Sequence, residues 1–113
     1  MPYVAFSTSL ELDCSLKDRV KEIIGELIAL IPGKTVEVTM FNINGGAYLK
    51  KGTGDAPCAF VDVRLRGAAD FAAKDAFVAG MCKSLKEEFG IDPAYVYINF
   101  IEFETWGSNG GLH

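Results

Sequence analysis

The stretch CAFVDVRLR (Cys58–Arg66), with DFAAKDAFVAGMCKSLKEEFG (Asp70–Gly90) and YVYINFIEF (Tyr95–Phe103) behind it, decides the fold. Ala59, Val61, Val63 and Leu65 alternate with Phe60, Asp62, Arg64 and Arg66, which is the period of a strand with one buried face. The middle segment is helical and Gly90 ends it, since glycine accepts the left-handed turn that follows a helix. The third segment alternates again. Strand, helix and strand therefore follow one another within 46 residues, from Cys58 to Phe103.

Working toward the N-terminus, the same plan recurs. SLKDRVKEIIGELIALIPG (Ser15–Gly33) sets Leu16, Val20, Ile23, Ile24, Leu27, Ile28 and Ile31 at helical spacing. Ser15 is the expected N-cap, with Asp18 three residues on, and Pro32 and Gly33 stop the helix. VEVTMFNI (Val36–Ile43) is expected to be a strand, and Asn44–Gly46 turns the chain. A strand-like run opens the protein, and Pro2 and Pro57 are expected to begin equivalent strands. The likeness of the halves is architectural, because their residues match only weakly.

Each strand–helix–strand unit favours parallel pairing of its two strands and a right-handed connection. The expected fold is α+β: two β-α-β repeats forming a four-stranded sheet with two helices on one face. The other face, read as rich in Ala, Val, Phe and Ile, then needs a second subunit. Ala47–Lys51 (AYLKK) and Phe103–His113 (FETWGSNGGLH) are too short for another layer, but can add strands to a neighbour's sheet edge.

Composition narrows the function. The 113 residues are expected to form a single domain, 1–113, and a 50% hydrophobic content with mean hydropathy +0.19 points to oligomer formation. Net charge is −4 with a pI near 4.9, and the 11 basic residues form no run, which argues against nucleic acid. The absence of a long apolar stretch and of a basic leader argues against a membrane segment and for a cytoplasmic protein. Cys14, Cys58 and Cys82 are odd in number and widely spaced, so they do not read as a disulfide framework. The single histidine is His113, the last residue, which argues against a His-based metal centre and against Ser/His or Cys/His nucleophiles. No metal site is expected.

Pro2 has two readings. A proline is tolerated at the first residue of a strand, where no ladder donor is lost. Alternatively, removal of Met1 turns Pro2 into a free secondary amine, and an α-amine has a pKa of about 7.7–8.0 that burial lowers further. Such an amine is neutral near physiological pH and can abstract a proton from carbon.

The initial Met-Pro, Gly33-Lys34, Pro57-Cys58-Ala59 and IDPAYVYIN (Ile91–Asn99) fall at spacings that, without gaps, resemble the macrophage migration inhibitory factor and D-dopachrome tautomerase family. The resemblance implies a homotrimer with active sites between subunits, and cofactor-free keto–enol tautomerisation of phenylpyruvate-like α-keto acids by the N-terminal proline. It assigns Pro2 as catalytic base and Lys34 as the cation for the substrate carboxylate. Tyr97 and Asn99, on one face of the last core strand, would line the pocket of the adjacent subunit. Arg66 stands where the family, usually with an apolar residue, offers a backbone N–H to the carboxylate; its side chain would add a second cation. Trp106 resembles aromatic residues near the family's pocket mouth. Val61 replaces the second cysteine of the cytokine's Cys-x-x-Cys, so dithiol chemistry is not implied. The alternative is a cytokine-like binding protein with vestigial activity, and the family also carries non-classical secretion.

Overall fold

The computed structural model describes all 113 residues, Met1–His113. Its first helix, α1 (Cys14–Ile28), is capped by Asp13 and not by Ser15: the Asp13 carboxylate accepts the Leu16 N–H at 2.8 Å. Ser15 lies inside the first turn, and a carboxylate one residue before the helix does the same capping with a full charge at the positive helix end. Asp70 repeats the device for α2 (Phe71–Phe89), accepting from Ala73 N–H at 2.8 Å, and Gly90 closes that helix in the left-handed conformation.

The sheet is built from β1 (Pro2–Thr8), β2 (Met40–Asn44), β3 (Ala59–Arg66) and β4 (Val96–Phe103), in the order β2-β1-β3-β4. Each unit returns parallel, β1 with β2 and β3 with β4, while β1 and β3 meet antiparallel at the centre. The two units are thus joined head to tail. Val4, Phe6, Val61, Val63 and Leu65 face the helices and meet Val20, Ile23, Ile24 and Ile28 of α1 and Phe77, Met81 and Leu85 of α2 in one core. A Cβ on Gly80 would collide with Leu27, so glycine lets the two helices approach closely. Arg19 and Glu88 clasp the pair at its surface through two bonds of 2.7 and 2.8 Å.

Three further expectations are corrected. Val36–Val38 is a 3-10 turn, not strand: Thr39 donates its N–H to Val36 O and its hydroxyl to Thr35 O, closing the turn before β2 begins at Met40. Local hydrogen bonding wins there over β-branched propensity. Pro57 precedes β3 by two residues, whereas Pro2 does open β1. The helix-free face is less apolar than expected. It carries Tyr3, Asn42, Asp62, Arg64, Tyr97 and Asn99 alongside Ala5, Phe60 and Ile101, as alternation from the buried residues requires. The C-terminal tail pairs with itself: β5 (Gly107–Ser108) and β6 (Gly111–Leu112) form a hairpin.

Candidate active site

The start of β1 and the end of β3 share one corner of the sheet, because the antiparallel register sets Pro2 opposite Leu65. Gly33, at φ +79°, turns the chain out of α1 and delivers Lys34 to that corner. The half-buried Lys34 donates from Nζ to the Arg66 carbonyl at 2.8 Å. That acceptor is neutral, and neither Lys34 nor Arg66 pairs with a carboxylate. Both cations therefore keep their charge available for an anion.

Their field is felt by the chain terminus. The Met1 α-amine is held below its ordinary value, first by loss of water around it, then by the charge of Lys34 and a hydrogen bond with it, and last by the charge of Arg66. Pro2 is buried beside it.

Beside this corner lies a cavity of about 750 Å³, lined by Met1, Pro2, Tyr3, Val38, Met40, Arg64, Trp106, Gly107 and Ser108. That is ample for a small ligand. Trp106 rests edge-on against Phe103, with ring centroids 5.9 Å apart. Reciprocal backbone bonds of 3.1 and 2.9 Å between Trp106 and His113 fix it at the base of the hairpin. Asn109 and Gly110 both take positive φ, 49° and 80°, the signature of a tight two-residue hairpin turn. Ser108 reaches back to the Met1 sulfur at 3.6 Å. The tail is thus a wall of the cavity.

The structure brings Pro2, Lys34 and Arg66 together but leaves Tyr97 and Asn99 elsewhere. Tyr97 pairs with Phe60, which lies opposite Ser7, so it stands five strand positions from Pro2, about 16 Å along the sheet. Asn99 pairs with Asp62 opposite Ala5, three positions or about 10 Å along. Both are exposed on the helix-free face, and the Tyr97 ring receives Lys51 at 5.1 Å. Within one chain neither reaches Pro2.

Sequence reasoning missed Arg64, Met40 and Ser108 as lining residues. Arg64 could have been found, since alternation sets it on the same face as Arg66. Nothing local marks Met40 or Ser108, which long-range pairing and the tail's fold bring in. Cys58 is buried with its thiol donating to Leu49 O at 3.1 Å, and burial pushes the Cys82 thiol up, so neither is primed as a nucleophile. No three His, Cys, Asp or Glu residues cluster as a metal site, and no helix is long and apolar enough to cross a membrane.

Two β-α-β units joined head to tail, with Pro2 and two cations that lack carboxylate partners gathered at one corner of the sheet, define a MIF-like fold. Residues 1–111 match the model of the family described as macrophage migration inhibitory factor (MIF), and the chain belongs to that family. A macrophage migration inhibitory factor homolog of Trichuris trichiura is 31% identical over 113 residues, covering 100% of this chain and 96% of the relative. Among solved structures, Leishmania major MIF2 superposes with a TM-score of 0.89 at 19% identity, over 100% of this chain and 97% of that one. Pt0534, crystallised after inactivation by 2-oxo-3-pentynoate, superposes with a TM-score of 0.79 at 22% identity, over 96% and 93% of the two chains.

Proposed function

We propose that the chain is a cofactor-free keto–enol tautomerase of phenylpyruvate-like α-keto acids, with Pro2 as the base once Met1 is removed. One observation carries this reading: the corner at the start of β1 lowers the pKa of an amine and holds two cations without carboxylate partners. A neutral secondary amine there accepts the enol hydroxyl proton and returns it to the adjacent carbon, or runs the reverse. Lys34 and Arg66 hold the substrate carboxylate as the proton moves, keeping donor and acceptor within reach of one nitrogen. The inactivation of Pt0534 by an α-keto acid is in keeping with such a substrate class.

The same reading makes the protein a single-domain cytoplasmic homotrimer. Two further copies cover the helix-free face, and Tyr97 and Asn99 of a neighbour supply the wall and donor that are too distant within one chain.

The test compares protein with Met1 removed and protein retaining it, each identified by intact mass and followed by enol–keto absorbance with phenylpyruvate. The processed form turns over. The unprocessed form is inactive, because its Pro2 nitrogen is a tertiary amide without a basic lone pair. Equal rates from the two forms would remove Pro2 as the base.

A further inference from the structure

Arg64 holds a charge that the reaction above leaves unused. It rises from the same face of β3 as Arg66, one strand repeat or about 7 Å away. It lines the cavity together with Pro2, Tyr3 and Trp106, and no carboxylate is among the lining residues. Its guanidinium carbon lies 5.9 Å from the centroid of the Tyr3 ring. Its one carboxylate contact, Nη2 to Asp62 Oδ2 at 3.4 Å, is at the outer limit of a hydrogen bond. Asp62 does not close a two-pronged fork either, since its buried Oδ1 has no partner. Most of the five N–H donors of Arg64 are thus free for a ligand.

A substrate with one carboxylate needs one anion-binding group, and Lys34 with Arg66 already provides it beside the terminal amine. A chain of net charge −4 that adds Arg64 to the wall of the cavity beside that pair offers more positive charge than a mono-acid needs. We propose that Arg64 is a specificity-determining residue that selects enol acids carrying a second carboxylate beyond a flat, unsaturated or aromatic middle. The middle lies between Tyr3 and Trp106, and the second carboxylate takes the free side of the Arg64 fork. A neutral far end would displace water from the guanidinium without replacing its hydrogen bonds.

This inference rests on reading the cleft as an acid-substrate site, and its test is independent of turnover. Trp106 is the only tryptophan, so its fluorescence reports ligand in the cavity directly. The probes are 3-(4-carboxyphenyl)propanoate and 3-phenylpropanoate, neither of which can tautomerise, titrated into protein whose N-terminus is fixed by mass. The dianion is expected to bind about 10-fold tighter, a preference that shrinks with salt as charge–charge recognition requires. Arg64→Met brings the ratio to within twofold of one, chiefly by weakening the dianion, and Arg64→Lys retains part of the preference. Asp62→Asn, which removes the competing carboxylate, widens it. A parent ratio near one, no binding of either probe, or a ratio that survives Arg64→Met overturns the proposal. Retention of the Arg64-dependent ratio by protein that fails to ketonise phenylpyruvate would sink the tautomerase reading and leave this one standing.

Discussion

The two faces of the sheet are made from the same strands and do different work. Toward the helices, β3 presents Ala59, Val61, Val63 and Leu65, each at most 3% exposed. Toward the open side, the alternate residues are Phe60, Asp62, Arg64 and Arg66, and polar side chains lie across them on every neighbouring strand. A period of two therefore assigns the packed core to one set of residues and a solvent-facing, largely polar surface to the other. A strand residue can be altered on the second face without disturbing the first.

Adjacent residues of β3 give the sharpest way to break that division. Leu65→Ala, on the buried side, should cost about 2–5 kcal/mol of unfolding free energy, as expected for a large side chain removed from a packed core. Arg66→Ala, one residue on, should cost less than about 1 kcal/mol, because the Arg66 carbonyl that holds Lys34 remains. Urea titration of the two variants measures the contrast. Comparable losses would mean that the open face bears as much of the fold as the covered one.

Lys34→Met sharpens the comparison on the chemical side. On the proposed mechanism it removes a carboxylate contact made in ground and transition states alike, so KM for phenylpyruvate should rise about 10-fold with a smaller fall in kcat. The pH profile adds a sign. Lys34 lowers the pKa of an amine at this corner, so more of the amine is neutral at a given pH when the lysine is present. Without it, the rising limb of kcat/KM should move to higher pH, and the variant should lose most below neutrality. An unmoved limb would show that Lys34 does not act on the base.

The smallest effect concerns the join between α2 and β4. Glu102 accepts from Lys74 Nζ at 2.9 Å and from the Ala69 N–H, and the bond to Lys74, then that to Ala69, holds its carboxyl below the usual value of 4.5. A carboxyl depressed in the folded state adds stability that is present above its unfolded pKa and lost as pH falls through the folded value. The site is partly solvated, so Glu102→Gln should cost less than about 1 kcal/mol at pH 7, and the difference should vanish in acid. Chemical denaturation at both pH values reads it.

How much of this was legible in the sequence follows the same division. The buried face was readable because Val61, Val63 and Leu65, and Ile23, Ile24 and Ile28, repeat at the periods of a strand and a helix. The caps and short turns were less so. Asp13 and Ser15 are both good capping residues, and only the course of the backbone selects one. Val36 and Val38 have strand propensity, but Thr39 ties the segment into a turn. Of the site, Pro2, Lys34 and Arg66 came from family spacing, and the structure gathers them at one corner. Trp106 was anticipated only as an aromatic near the mouth, because its position depends on a hairpin of two-residue strands too short to announce themselves.

The head-to-tail union of the two units has a further consequence. If the halves descend from duplication of one β-α-β segment, the copies began with equal corners, one at the start of β1 and one at the start of β3. Duplication can copy a proline, but it cannot copy the beginning of a polypeptide. The second corner is approached from Pro57, two residues before β3, whose nitrogen is already spent in a peptide bond to Ala56. An activity that depends on a free terminal amine is therefore confined to one copy per chain, and the other is released to diverge. Multiplying such sites requires more chains, not more repeats.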